Sequence, residues 1–273
     1  MNLEHLHQIG IEAALAAGQV IQQHMNDVGV TVEQKEAGTS RASQVVTEVD
    51  RACERAIFQH ILPTCAAFDL ALLSEETEDD GSRFRKDYFW CIDPLDGTLP
   101  FTEQRPGFSV SIALVARDGT PCLGIVYDPV TDTLYHASKG RGVYKNKSLW
   151  HLPPPNDHLT YVSDRRLRDT PRSDEIKDLL HQTAADLGLN GYQELSGAGS
   201  VLNAIRVMEN GPALMLKFPK KEKGGGSIWD FAATACLFQE LGLPATNYAG
   251  GRLDLNREDG TFMNHEGIYY EYL

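Results

Sequence analysis

The run Tyr-Phe-Trp-Cys-Ile at 88–92 constrains the fold more than any other stretch. It is apolar or aromatic without a break, which suits a strand covered on both faces. "FSVSIALVA" (108–116), "CLGIVYDP" (122–129) and "TLYHAS" (133–138) follow, parted by Asp118-Gly119 and Asp128-Pro129. They read as a strand meander with tight turns. A further strand-like run, "FDLALLS", leads into Glu75-Glu76.

Helical spacing dominates on either side. Leu3, Leu6, Ile9, Ala13, Ala16 and Val20 predict an amphipathic helix over 3–25. A strand near 29–34 and a polar loop from Glu36 to Ser43 come next. A second helix is expected over 47–62, where Thr47 and Asp50 resemble a capping box and Ala52, Ala56, Ile57 and Ile61 form a stripe. "LPPPNDH" (152–158) reads as a linker. Beyond it, helices at 173–187 and 200–209 alternate with "YVS" and "ALMLKF", an α/β pattern. A glycine loop then opens a last helix that ends at Gly242. The 273 residues suffice for one large domain or two closely packed lobes. The order of elements predicts an α+β lobe over 1–150 and an α/β lobe over 151–273.

Charge and cysteine usage narrow the function. Lys and Arg number 25 against 38 Asp and Glu, a formal charge of −13. Such a chain repels nucleic acid backbones and suits hard cations. The apolar runs are far shorter than the roughly 20 residues of a membrane span. The N-terminal stretch, with Glu4 and Glu12 and no basic lead, does not read as a signal peptide. The five cysteines form no C-x-x-C pair and lie mostly in apolar segments, the pattern of reduced core residues in a cytoplasmic protein. The nine histidines show no ligand spacing.

Four acidic stretches fall at element boundaries: Asp50, Glu75, the pair Asp93 and Asp96, and Asp230. Taken alone, "DPLDGT" (93–98) is equally an exit turn, since Asp, Pro and Gly are turn formers. Active sites, however, gather where strand and helix ends converge. Carboxylates three apart around a turn can bridge two magnesium ions, with the Leu95 carbonyl facing the same space. Gly97 and Thr98 offer backbone amides, and a helix beginning there attracts phosphate.

Val46-Thr47-x-x-Asp50, Ser74-Glu75-Glu76, Asp93-Pro-Leu-Asp96-Gly97-Thr98, Gly124 to Val130, and Trp229-Asp230-x-Ala-Ala occur together in one order. In that order and spacing the chain resembles the inositol monophosphatase superfamily over nearly its whole length. The resemblance implies the layered αβαβα sandwich shared with fructose-1,6-bisphosphatase and a magnesium-dependent phosphomonoesterase. It implies two or three Mg2+ ions, with Glu75, Asp93 and the Leu95 carbonyl at the first and Asp93, Asp96 and Asp230 at the second. It implies that Thr98 orients the attacking water with Asp50 hydrogen-bonded behind it, and that Asp96, Gly97 and Thr98 meet the phosphate. A small phosphorylated metabolite as ligand, no nucleic acid polymer, no membrane and a homodimer are the partners it suggests.

Departures bear on substrate. Ser74 replaces the superfamily's usual glycine, and Leu99-Pro100 replace Thr-Asn beside the phosphate. Lys217, Lys220, Lys221 and Lys223 cluster ahead of Gly224 to Gly226. Such a run is a solvated face, or, if it leans over the site, a clamp for a second phosphate through Lys220 and Lys221. "GSVLN", with Gly199 and Ser200, resembles the G-S-x-L-K of the 3'(2'),5'-bisphosphate nucleotidase branch, with Asn203 where that branch has lysine. The alternatives are an inositol-1-phosphatase-like or sugar phosphate phosphatase, a homologue that binds without turnover, and a protein acting through partners. The intact carboxylate set argues against binding without turnover.

Overall fold

A computed structural model describes residues 2–31, 39–263 and 265–273; of 26–31 and 39–47 it describes the backbone alone. Two long helices open the chain, α1 (Leu3–Thr31) and α2 (Thr39–Phe68). They correct two expectations. Residues 29–31, expected in a strand, continue α1, while 32–34 lie outside the described residues. Residue 47 is no helix start, because α2 is already helical from Thr39; of the polar loop, 36–38 lie outside the described residues and 39–43 are helix. Thr47 and Asp50 therefore lie inside α2 rather than at its start.

The first sheet has seven strands in sequence order: β1 (Ala71–Ser74), β2 (Tyr88–Asp96), β3 (Ser109–Ala116), β4 (Pro121–Asp128), β5 (Thr133–Ser138), β6 (Val143–Lys145) and β7 (Ser148–Leu149). β1 pairs parallel with β2; the remaining neighbours pair antiparallel. The connection between β2 and β3 contains the short helix α3 (Thr98–Thr102). The second sheet gathers β8 (Leu159–Ser163), β9 (Tyr192–Ser196), β10 (Ala213–Lys217), β11 (Ala245–Thr246) and β12 (Ile268–Tyr272) in the order β11-β12-β10-β8-β9. Helices α4 (Ser173–Asp186), α5 (Ser200–Glu209) and α6 (Ile228–Leu241) intervene. Gly242, in the left-handed region at φ 71°, closes α6.

The layers follow from strand alternation. On β2, Trp90 and Ile92 pack with Ala13, Ile21, Cys53 and Ile57 of α1 and α2. Phe89 and Cys91 point the other way, into a cluster shared with α5, α6 and Val162, Met215 and Tyr270 of the second sheet. The opposite face of that sheet carries Tyr161 and Leu214 against Ile176 and Leu180 of α4. The stack is therefore helix, sheet, helix, sheet, helix, the mixed α/β sandwich that the motifs implied. Each fully buried Leu, Ile or Phe in these layers contributes about 1.5–3 kcal/mol. Trp90 also satisfies its indole, donating to Thr64 Oγ1 at 2.9 Å. All five cysteines are unpaired thiols. No helix among the described residues is long and apolar enough to cross a membrane.

Candidate active site

The ends of four elements meet at one place. β2 ends in Asp96, β10 ends in Lys217, α5 starts at Ser200, and Asp230 lies in the first turn of α6. Strand carboxyl ends and helix amino ends converge here, the usual place for a ligand in an open α/β arrangement.

Asp93 and Asp96 are strand residues rather than residues after a strand. In a regular strand, positions three apart face opposite sides. Here Asp93 pairs with Ser111 and Asp96 with Ser109, so β2 carries one extra residue between them. This bulge turns both carboxylates to one side. Asp230 joins them: each of the three offers an oxygen, and these oxygens lie within 4.8 Å of one another. Ser227 fixes Asp230 by a reciprocal capping box, in which the Ser227 amide donates to Asp230 Oδ2.

Glycine is required twice nearby. Gly97 sits at φ 91°, and a Cβ there would stand 2.5 Å from the Gly107 carbonyl oxygen. A Cβ at Gly199 would overlap the Asp96 carboxylate. That closeness lets the amides of Ser200 and Val201 donate to Asp96 Oδ1 and Oδ2, at 3.1 and 3.0 Å. The Leu95 amide donates to Asp93 Oδ1 at 3.0 Å.

Burial is the first force on the acid cluster. It pushes Asp93 well above the usual carboxylate range, with Glu75, Asp96 and Asp230 adding repulsion. Asp96 is driven up by burial and then by Asp230, partly countered by the Val201 amide and Lys217. Burial also raises Asp230, against the Ser227 amide and Lys217. Glu75 is pushed to about 7 by the protein atoms packed round its carboxylate and then by Asp230, although the residue as a whole keeps solvent contact. Asp50, one turn along α2 from Glu54, is pushed to about 7 by burial and then by Glu76 and Glu75. Buried carboxylates of like charge require a compensating cation. Among the described residues, the ammonium that reaches Asp96 and Asp230 electrostatically is that of Lys217. A cluster of hard oxygen donors with this deficit of positive charge fits a hard divalent cation.

The expected Asp50–Thr98 hydrogen bond is not formed. Thr98 opens the exposed start of α3, whereas the neighbours that act on Asp50 are Glu76 and Glu75. Ser74, the replacement for glycine, has a partner: its hydroxyl donates to Glu54 Oε1 at 2.5 Å, as does that of Thr77 at 3.0 Å. Glu54 is 8% exposed, so the segment bearing Glu75 and Glu76 is tied to α2 through a buried carboxylate.

The lysine cluster separates on folding. Lys220 lines a cleft of about 390 Å3 beside the acid cluster, and Lys221 is exposed and does not line it. Lys217 is the member directed at the site: its Nζ donates to Asp164 Oδ2 at 2.7 Å and Ser200 Oγ at 2.8 Å. Asp164, Arg165 and Arg172 share the cleft and were not legible as site residues; a strand ending at Ser163, just ahead of Asp164, was the one signal. A second cleft, of about 440 Å3, lies further along α6 near Ala235 and Gln239. It contains no carboxylate and none of the acid cluster, so it is not the reaction site.

A sequence profile of the Inositol monophosphatase family matches residues 2–272. The chain is 26% identical, over 286 aligned positions, to the inositol-1-monophosphatase of Bacillus subtilis (strain 168), covering 100% of this chain and 98% of that protein. It is 31% identical over 204 residues to the 3'(2'),5'-bisphosphate nucleotidase CysQ of Escherichia coli (strain K12), covering 72% of this chain and 74% of that one. The crystal structure of CysQ from Bacteroides thetaiotaomicron, a bacterial member of the inositol monophosphatase family, superposes with a TM-score of 0.76 at 26% identity, covering 99% and 98% of the two chains.

Proposed function

The chain belongs to the inositol monophosphatase family and is a phosphoric monoester hydrolase, and from that membership we propose that its substrate is a small metabolite carrying two phosphates. The leading substrate is 3'-phosphoadenosine 5'-phosphate, cleaved to AMP. One observation carries this reading: the Asp93, Asp96 and Asp230 oxygens converge within 4.8 Å beside a cleft that also holds Arg165, Arg172, Lys217 and Lys220. Four cations against the single carboxylate of Asp164 in the lining of this cleft, in a chain with charge −13, favour a ligand with more than one anionic group.

Asp93, Asp96 and Asp230 would hold one Mg2+, and Glu75 and Asp93 with the Leu95 carbonyl another. When bound, these ions supply a hydroxide from water near neutral pH and neutralise charge on the leaving oxygen. The chain's own residues do the rest. The amides of Gly97 and Thr98 receive the phosphate oxygens, and the Thr98 hydroxyl orients the water. Ser227 and the Ser200 and Val201 amides keep Asp230 and Asp96 in place before substrate arrives. Asp50 and Glu76 add negative charge behind Glu75.

A second reading has its own support. The match to inositol-1-monophosphatase runs over the whole of both chains, which favours an inositol phosphate or sugar phosphate. Phosphate release in Mg2+ from 3'-phosphoadenosine 5'-phosphate, inositol 1-phosphate and fructose 1,6-bisphosphate decides between them. The nucleotide is expected to lead in kcat/KM by about 100-fold, near 2.7 kcal/mol of transition-state binding. A lead for inositol 1-phosphate overturns the two-phosphate reading.

A further inference from the structure

The acid cluster and the 390 Å3 cleft meet at Lys217, which lines the cleft and reaches Asp96 through Ser200. The Ser200 amide donates to Asp96 Oδ1, and its hydroxyl accepts from Lys217 Nζ. Lys217 is well covered, with 15% of its side chain exposed. Asp164 accepts a second of its N–H groups. An ammonium has three, so one N–H remains beyond these two bonds. Asp164 does not depend on Lys217 alone, because Asn203 Nδ2 also donates to it at 3.0 Å. An anion entering the cleft can therefore draw on Lys217 while Asp164 keeps a donor.

The remainder of the cleft has a distinct chemistry. Met215, Met263 and Ile268 supply apolar surface. Phe218 lies there too, with the Arg172 guanidinium 3.6 Å from its ring centroid and Tyr248 5.1 Å away. Arg165 adds a cation next to Asp164. Apolar and aromatic surface for a flat body, with Arg165, Arg172, Lys217 and Lys220 around it, is a nucleotide-sized arrangement.

Resting on the two-phosphate reading, the geometry points to this cleft as the seat of the uncleaved part of the substrate, with Lys217 as the residue that reads its second anionic group. Lys217 is better suited than Lys221 to that task. Its ammonium is already held by Asp164 and Ser200, so little side-chain freedom is lost when a ligand binds. Lys221 is exposed and would have to be ordered first.

The test is a matched pair of substrates: a nucleoside 3',5'-bisphosphate and the same nucleoside 3'-monophosphate. Both are measured with the native chain, Lys217→Met, Lys217→Arg and Lys221→Met. Lys217→Met should lose about 30-fold more kcat/KM on the bisphosphate than on the monophosphate, mainly through KM, as expected for a lost charge-assisted contact. Lys217→Arg should restore most of that difference, and Lys221→Met should leave the ratio near native. Should the Met variant not fold, Lys217→Gln keeps a donor for Asp164 and takes its place. Equal losses on both substrates overturn the Lys217 assignment alone. If the native chain hydrolyses neither nucleotide but releases phosphate from inositol 1-phosphate, the two-phosphate reading fails and the assignment falls with it.

Discussion

Asp96 and Ser200 stand 104 positions apart in the chain and are joined by a hydrogen bond of 3.1 Å from the Ser200 amide to Asp96 Oδ1. With the Val201 amide on the other carboxylate oxygen, the bond sets the end of β2 against the start of α5. Ser200 Oγ in turn accepts from Lys217 Nζ at 2.8 Å, and Lys217 lines the cleft, so the acid cluster and the cleft lie side by side.

The acid cluster stores repulsion that substitution should release. Asp93→Asn removes one buried charge flanked by Glu75, Asp96 and Asp230. Phosphatase activity is expected to fall by about 10³-fold or more, while the metal-free variant melts higher than the metal-free native chain at pH 7.5. The pH dependence has the matching sign. Asp50 is raised from 3.8 to about 7, so the folded state holds a proton between roughly pH 4 and 7 that the unfolded state releases. The metal-free native chain should therefore gain stability as pH falls from 7.5 to 5, by an amount of order 2 kcal/mol from Asp50. Thermal unfolding with a chelator checks both points; a lower melting temperature for Asp93→Asn contradicts the account.

How much of this was readable beforehand depends on the range of the interaction. Asp93, Asp96 and Asp230 sit in short motifs, and those motifs located the acid cluster. The bulge that turns Asp93 and Asp96 to one side comes from pairing with Ser109 and Ser111, which no local pattern announces. Lys217 looked like one of four clustered lysines; only the approach of β10 to α5 and to Asp164 distinguishes it. The start of α2 was misplaced because a plausible cap at Thr47 and Asp50 lies inside a helix that already runs from Thr39. Short strands such as β6, β7 and β11 carry too few residues to show a period.

Glu54 should matter without touching substrate. It accepts from Ser74 and Thr77 and so positions Glu75. Glu54→Ala leaves both hydroxyls without that acceptor and is expected to cost about 1–3 kcal/mol of stability. The Mg2+ concentration for half-maximal activity should rise by about tenfold, with kcat at saturating Mg2+ less affected. Glu54→Gln, which keeps an acceptor oxygen, should recover most of the Mg2+ dependence. Equal loss of kcat at every Mg2+ concentration argues against a positioning role.

His7 and His136 form a second pH-sensitive contact, between α1 and β5. His136 Nε2 faces the Asn146 carbonyl at 2.9 Å and so carries hydrogen, which leaves Nδ1 to accept from His7 Nε2 at 3.1 Å. Burial and then His136 lower His7 to about 4. Between pH 4 and 6.5 the unfolded state binds the proton and the folded state does not, so this contribution is present above pH 6.5 and lost as pH falls. His7→Gln keeps a donor for His136 and does not titrate. Relative to the native chain, its melting temperature should shift upward as pH falls from 7 to 5, whatever the sign of the native slope; an identical slope contradicts the assignment.

The central claim is that Asp93, Asp96 and Asp230 form a divalent cation site. Calorimetric titration of Mg2+ into the native chain and into Asp230→Asn tests it most directly, with melting temperature as a companion reading, since a ligand bound only by the folded state stabilises it. The account predicts saturable binding and a raised melting temperature for the native chain, with affinity weakened by about tenfold or more in Asp230→Asn. Equal Mg2+ binding by the two proteins, or none by either, would contradict it.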